Sequence, residues 1–393
     1  MIMNDVCADR LSLLGFGTMR LPLNEDKTID ENAVADMVEY ALAHGVNYFD
    51  TAYPYHGGKS EIVIGKVLSK YPRESYRLAT KYPGHQIAET YDASAIFEEQ
   101  LAKCGVEYFD YYLLHNVCER SMDVFCDPKW GIVDYLVEQK KLGRIKHLGF
   151  SSHGKPDNLK EFLDLHGDKM EFCQIQLNYL DWTLQDAKTK YEMLTERGIP
   201  VWVMEPVRGG KLASLNIGAE QELKKLRPDA GIPSWAFRWL MGLDNVKMIL
   251  SGMSNMEQMT DNVKTFETRE TLTETENALI MRIADGLKNS LPCTACRYCV
   301  DGCPMGLDIP SLISAYNDLK FSKAGFTVPM LLESLDDAKR PSACIGCGAC
   351  ANICPQKIDV PSALKELDEM SKEMPSWNEI CKQRAEAAKK AKA

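Results

Sequence analysis

Eight of the fourteen cysteines fall into two copies of one spacing. Cys293, Cys296, Cys299 and Cys303 are followed by Pro304, and Cys344, Cys347, Cys350 and Cys354 by Pro355. Each run reads C-x2-C-x2-C-x3-C-P, the ligand spacing of two-cluster iron–sulfur chains. Three thiolates within seven residues suit three corners of a cubane and leave the fourth corner to a distant cysteine. Zinc sites instead use pairs of cysteines parted by a longer loop. The spacing therefore predicts two [4Fe-4S] clusters, and with them one-electron chemistry.

The stretch resembles a bacterial ferredoxin domain. In two-cluster ferredoxins the fourth cysteine of each run serves the other cluster. The resemblance implies one cluster on Cys293, Cys296, Cys299 and Cys354, and a second on Cys344, Cys347, Cys350 and Cys303. Forty residues separate Cys303 from Cys344, which is long for a minimal ferredoxin. The interval reads as a helical insertion over residues 309–320 and 329–338.

A second set of reactive residues lies upstream. Asp50, Lys81, His115, Ser151, Gln176 and Glu205 each stand at or near the end of a short β-rich run. One such residue could simply cap the next helix. A Lys, a His and an Asp at ends that face one cavity point to catalysis. The runs span residues 13–17, 46–50, 76–81, 109–115, 146–151, 172–177, 200–205 and 246–251. Amphipathic stretches such as 31–44, 93–104 and 185–197 alternate with them. Eight βα units predict an α/β fold, a (β/α)8 barrel, whose strand ends converge on one mouth. The barrel is expected over residues 1–285. Residues 286–393 are expected to form a small, mainly helical iron–sulfur domain ending in helices over 361–372 and 376–392.

The segments Phe49-Asp50-Thr51-Ala52-Tyr53-Pro54-Tyr55, Ala79-Thr80-Lys81 and Leu113-Leu114-His115 resemble the aldo-keto reductase family, as does the opening Gly15-Phe16-Gly17-Thr18-Met19-Arg20. The resemblance covers residues 10–265 and implies a catalytic tetrad of Asp50, Tyr55, Lys81 and His115. The chemistry agrees. Reducing a carbonyl by hydride leaves an alkoxide that needs a proton. A phenol near its ordinary pKa of about 10 is a weak acid at neutral pH. A Lys81 ammonium beside Tyr55 is expected to lower that pKa. Asp50 would hold the ammonium in place, and His115 would orient the carbonyl oxygen.

The same resemblance implies an NAD(P)(H) site that includes Thr18, Met19 and Arg20. Ser151, Ser152 and Gln176 would hold the nicotinamide carboxamide, with His153 as an extra polar neighbour. Met204 stands where the family commonly stacks a Tyr on the ring, and a thioether can still pack there. Glu205 is expected to pair with Arg208 or Lys211, although it could also tune a ring or relay a proton. Gly209-Gly210-Lys211 reads as a pyrophosphate loop. Gly252, Gln258 and Asn262 follow the eighth strand, with Asn262 as an adenine contact. That segment has no basic residue, and Glu257 and Asp261 would repel a 2′-phosphate, so NAD, or a different redox cofactor such as a flavin, gains over NADP. Trp130 and Trp182 could line the mouth or simply pack.

Composition bounds the rest. The chain has 393 residues and a net charge of −10, which argues against nucleic acid as a partner. No segment has the apolar length of a membrane span. The N-terminus lacks the pattern of a signal peptide. Thiolate clusters and six further cysteines fit a reducing cytoplasm. The basic residues Lys382, Arg384, Lys389, Lys390 and Lys392 read as a solvated helix face. The expected function is an oxidoreductase that reduces a small carbonyl or related compound, coupled to the clusters and to a redox partner protein. Two other readings remain. The clusters could be structural or oxygen-sensing beside an ordinary nicotinamide enzyme, or the chain could be a ferredoxin-like carrier with a docking barrel.

Overall fold

The computed structural model describes residues 1–84, 90–119, 121–215, 217–287, 291–317, 319–320, 327–376 and 379. Packing divides the chain into two units. The first holds Met1–Arg208, Leu212–Ser214 and Glu220–Ala284, and the second holds Gly209–Lys211, Leu215–Ala219 and Asp285–Ala393.

The first unit opens with an antiparallel hairpin of β1 (Met3–Val6) and β2 (Asp9–Ser12). Eight parallel strands follow: β3 (Leu14–Gly17), β4 (Tyr48–Asp50), β5 (Arg77–Tyr82), β6 (Phe109–Val117), β7 (Ile145–Ser152), β8 (Cys173–Gln176), β9 (Val201–Met204) and β10 (Val246–Ser251). They close into a barrel, with β10 pairing both β9 and β3. All eight predicted strands are present. β6, FDYYLLHNV, is buried at each position, as a strand covered on both faces is, with its polar Asp110, His115 and Asn116 toward its ends. Two of the helices between strands start on side-chain caps: Asp30 accepts from the Asn32 and Ala33 amides, and Asp92 accepts from Ala95.

The hairpin was not legible in the sequence. It contributes Leu11 to a core with Tyr48, Tyr111, Phe172, Trp202 and Met248, all wholly buried.

The second unit is built on a repeat longer than the cysteine runs. After each run the chain continues Pro304-Met305-Gly306-Leu307-Asp308-Ile309-Pro310-Ser311 or Pro355-Gln356-Lys357-Ile358-Asp359-Val360-Pro361-Ser362. Each copy carries a short helix (Tyr298–Asp301, Ala349–Ile353) and then a longer one (Ile309–Asn317, Val360–Lys372). Ser311 donates to Asp308 and Ser362 to Asp359, both at 2.7 Å, so the two longer helices start alike. Their apolar faces meet in one core that includes Leu312, Ile313, Leu364, Leu367 and the expected cluster ligands Cys299 and Cys350. Of the predicted insertion, helices Ile309–Asn317 and Thr327–Glu333 are observed, while residues 318 and 321–326 lie outside the described residues. The basic C-terminal side chains lie outside them too, as does most of the predicted 376–392 helix. Among the described residues no helix is long and apolar enough to cross a membrane.

Candidate active site and cluster cavities

The barrel gathers the four expected catalytic residues at the C-terminal ends of its strands. Asp50 ends β4, Lys81 lies in β5, His115 lies in β6, and Tyr55 opens the turn Tyr55–Gly58. The Lys81 ammonium donates to Asp50 Oδ2 at 2.5 Å, to the Thr51 carbonyl at 2.7 Å and to the Tyr55 hydroxyl at 3.5 Å. The His115 ring meets the Tyr55 ring edge-on, with centroids 5.9 Å apart. Burial pushes Asp50 up and Lys81 down, and each charge opposes the shift of the other.

Tyr55 corrects the sequence expectation. Burial pushes its phenol well above the ordinary value, and the Asp50 and Glu205 carboxylates push the same way. Tyr55 therefore keeps its proton rather than resting as a phenolate.

The expected cofactor residues divide by the work their polar atoms do. Ser151 accepts from the Asn116 amide at 3.0 Å, which leaves its hydroxyl hydrogen to donate. Gln176 lies at the end of β8; its amide nitrogen donates to Asp181 at 2.7 Å, and its oxygen faces His153 Nδ1 at 3.2 Å. Met204 ends β9 half-buried beside it, paired in register with Gln176. Of these, Ser151 keeps a donor hydrogen for an amide-bearing ring, whereas the Gln176 amide is engaged at both ends.

Others brace the fold. Ser152 is buried; it donates to the Val117 carbonyl and accepts from the Gly154 amide. Thr18 donates to the Asp50 carbonyl at 3.0 Å, behind the tetrad. Gln258 closes a turn by accepting from the Ser254 amide, and Asn262 donates to Ser251.

Three further placements differ from the reading of the sequence. Arg208 is wholly buried and pairs with Asp181, Nε to Oδ1 at 3.0 Å, which removes it as the expected partner of Glu205 and leaves the Lys211 alternative as it stood. Arg20 comes from the turn after β3, with Met19 half-buried before it, and lays its stem against Gly252 after β10. A cation thus lies where sequence order showed none. Asp261 turns its carboxylate toward Gly231. The predicted pyrophosphate loop packs with the second unit. Gly209 has φ +63°, and a Cβ there would lie 1.7 Å from the Thr294 carbonyl oxygen. This glycine serves a close approach to the first cysteine run. Trp182 packs against Tyr191 and Trp239, whereas Trp130 meets Tyr91.

In the second unit the eight cysteines surround two cavities. One, of about 360 Å³, is lined by Cys293, Cys296, Cys299 and Cys354. The other, of about 320 Å³, is lined by Cys303, Cys344, Cys347 and Cys350. Each set takes three cysteines from one run and the fourth from the other. Among the described residues no three His, Cys, Asp or Glu gather tightly enough for a single metal ion. Four thiols spread around a cavity are instead the donor set of a cubane. Burial, then the neighbouring Cys296, Cys293 and Cys354, push the Cys299 thiol up to about 12, a crowding that a cationic cluster core would relieve.

Residues 13–285 match the model of the aldo/keto reductase family, and residues 292–358 match a 4Fe-4S dicluster domain. "Probable aldo-keto reductase 1" of Glycine max is 27% identical over 54% of this chain and 62% of its own length. The "NADH-specific methylglyoxal reductase" of Escherichia coli is 26% identical over 71% of this chain and 96% of its own. Among solved structures, an aldo-keto reductase of Bacillus halodurans in its holo form is 27% identical. It covers 72% of this chain and 96% of that one, with a TM-score of 0.57. The chain is an oxidoreductase with a C-terminal iron–sulfur domain, and it belongs to the aldo/keto reductase family.

Proposed function

We propose that the protein reduces a small carbonyl compound at its barrel mouth and exchanges single electrons with a protein carrier through two [4Fe-4S] clusters. The buried Asp50–Lys81 pair, with its ammonium on the Tyr55 hydroxyl, carries the reading. A bound NADH or NADPH would supply the hydride. Tyr55 starts protonated and gives its proton to the carbonyl oxygen as the alkoxide develops. The Lys81 ammonium then stabilises the phenolate left behind, and Asp50 keeps that ammonium charged. His115, edge-on to Tyr55, holds the carbonyl oxygen toward the phenol.

The Escherichia coli relative's name makes methylglyoxal and NADH the first pair to test. Arg20 against Gly252 makes NADPH the second nucleotide. Hydride carries two electrons and each cluster one, so a flavin is the mediator to look for in an extract. Thiolate clusters suit the reducing cytoplasm.

The test begins with anaerobic purification, iron and sulfide assay, and cofactor extraction. Tyr55→Phe should lower kcat/KM about 100-fold or more. Unchanged turnover would exclude Tyr55 as the acid. Mixing with NADH under argon should reduce the clusters, read by electron paramagnetic resonance.

The burial of Cys299 and Cys350 in the core of the second unit favours a second reading, in which the clusters are structural or oxygen-sensing. That reading expects Cys296→Ser and Cys347→Ser to leave turnover intact in protein that still folds.

A further inference from the structure

On the outer side of β5 lies a second carboxylate with no part in the chemistry above. Glu61 belongs to the helix Lys59–Leu68 and is wholly buried. A buried carboxylate is expensive unless hydrogen bonds answer it. Its Oε1 accepts from Thr80 Oγ1 and from Gln100 Nε2, both at 2.6 Å. Gln100 Nε2 also lies 3.1 Å from Thr80 Oγ1 and 3.1 Å from the Lys81 carbonyl, which accepts from it. The Tyr112 hydroxyl donates to Gln100 Oε1 and fixes the amide's orientation.

Thr80 and Lys81 are neighbours on one strand, so their side chains face opposite sides. Lys81 points into the mouth, and Thr80 points out to Glu61. The preceding residue, Ser60, does matching work for the other half of the ion pair. Its hydroxyl lies 2.7 Å from Thr18 Oγ1 and 2.9 Å from Thr51 Oγ1. Thr18 holds the Asp50 carbonyl, and the Thr51 carbonyl accepts from Lys81 Nζ. The Ser60-Glu61 dipeptide thus reaches the backbone at both Asp50 and Lys81.

We propose that Glu61 is a positioning residue for Lys81. Through Thr80 and Gln100 it fixes β5 at the lysine, and it places a negative charge behind the ammonium. This rests on the tetrad reading. Lys81 is buried on every side, which favours the neutral amine; Asp50 first and Glu61 after it favour the ammonium. Asp50 from β4 and Tyr55 from its turn meet the Lys81 ammonium, His115 from β6 stands edge-on to Tyr55, and Glu61 acts on Lys81 from the helix behind β5. Glu61 in turn faces Lys103, whose ammonium is 3.8 Å from Oε2, and lies near Glu99, Tyr53, Cys104 and Tyr112; burial pushes its own carboxyl up, while the hydrogen bonds from Thr80 and Gln100 and the Lys103 charge favour the carboxylate.

The two contributions separate by substitution. Glu61→Gln keeps an oxygen that can accept from Thr80 and Gln100 but removes the charge. Glu61→Ala removes both. Without the charge, Lys81 loses its proton at lower pH, so the alkaline limb of activity moves down.

The test uses the anaerobically purified full chain with its clusters, methylglyoxal and NADH as the probe pair, and Tyr55→Phe as reference. Glu61→Gln is expected to shift the alkaline limb of kcat/KM down by about 0.5–1 pH unit. Glu61→Ala is expected to lower kcat about 10- to 100-fold. Hydrogen exchange across residues 77–82 should speed up in Glu61→Ala and not in Glu61→Gln. A merely structural Glu61 would lower the melting temperature without moving the pH limb.

A Glu61→Gln profile that overlays the wild type, beside a dead Tyr55→Phe, overturns the inference and leaves the tetrad standing. An active Tyr55→Phe overturns the tetrad. In that case, or if methylglyoxal is not turned over, unchanged exchange over 77–82 in Glu61→Ala overturns the positioning role. If Glu61→Ala does not fold, the Glu61→Gln limb decides, or, without turnover, exchange over 77–82 in Thr80→Val, where an unchanged rate overturns it.

Discussion

The two cysteine runs share one spacing, and their backbones follow one path through different residues. Matched positions take the left-handed conformation: Ala295 (φ +53°) and Gly346 (φ +69°), Arg297 (φ +67°) and Gly348 (φ +76°), Gly306 (φ +58°) and Lys357 (φ +53°). The path of each loop around its cavity sets these angles whatever the side chain. The second run mostly meets them with glycine, while the first runs uphill with Ala and Arg. Exposure differs as well. Thr294 is 2% exposed, whereas its counterpart Ile345 is 63% exposed. Cys347 is exposed and Cys296 only partly so. Ile353 is 47% exposed where the first run has Gly302. The second run is also free of charged side chains from Cys344 to Cys354, whereas the first carries Arg297 and Asp301. One cluster site is enclosed and strained, and the other is open and relaxed.

The largest expected effect breaks the enclosed half alone. Gly209→Ala would set a Cβ 1.7 Å from the Thr294 carbonyl oxygen at a left-handed position. The first cysteine loop must then move. Iron per chain should fall from about eight to about four, with one set of cluster signals lost. Gly348→Ala is the matched control: it also strains a left-handed position, but no atom lies within 4 Å of the new Cβ. It should keep both clusters. Equal loss from both variants would show that backbone angle, not enclosure, holds the first site.

A slower probe reads the exposure difference directly. Timed exposure to air, or to an iron chelator, should remove the second cluster first, because solvent reaches Cys347 and Ile345 freely. Resonance spectra with each site tagged by its cysteine variant would assign the order. Loss of the first cluster first would reverse the comparison.

A third change tests a brace that, among the described residues, stands in the first half. Asn317 is buried; its side chain accepts from the Leu291 amide at 2.7 Å and donates to the Leu291 carbonyl at 2.9 Å, two residues before Cys293. Asp368 stands at the matching place on the second helix and accepts from Lys372 instead. Asn317→Ala should destabilise the first site by about 1–3 kcal/mol, seen as lower chelator resistance of that cluster. Asp368→Ala should change little, because its ion pair with Lys372 is exposed.

Much of this was legible in the sequence. The barrel strands were readable because parallel strands covered on both faces leave apolar runs between polar ends. Asp50, Lys81 and His115 were readable as polar residues at those ends, while Tyr55 and the grouping of the four came from the family resemblance, as the crossed cysteine sets came from the ferredoxin one. What escaped depended on packing between distant segments. The burial that keeps Tyr55 protonated has no signature in its neighbours along the chain. Arg20 lies on Gly252 only once the barrel closes β3 against β10. The approach of Gly209 to Thr294 escaped too, because a close backbone approach calls for the same residue as a phosphate loop. Glu61 and Arg208 had a faint signal, as ionic residues inside otherwise apolar stretches. The length of the repeat was missed for a plainer reason. Its second half, from Leu307 or Ile358 to Ser311 or Ser362, is similar rather than identical.

The smallest expected effect is also the sharpest test of why the two runs differ. Arg297→Gly gives the first run the residue that the second uses at the same backbone angle. Relief of a left-handed Arg should gain about 1 kcal/mol. The substitution loses the Arg297–Asp308 ion pair at 3.0 Å, which is exposed on both sides and contributes roughly 0–1 kcal/mol. It also loosens the unfolded chain, which offsets part of the gain. The net should be a small stabilisation, about 1–3 °C in the transition of the cluster-loaded second unit. Raising the ionic strength weakens the ion pair in the wild type and should widen the gap in favour of the variant. If Arg297→Gly instead lowers the transition at every salt concentration, the arginine acts on the cluster itself, and the first site is tuned by charge rather than merely enclosed.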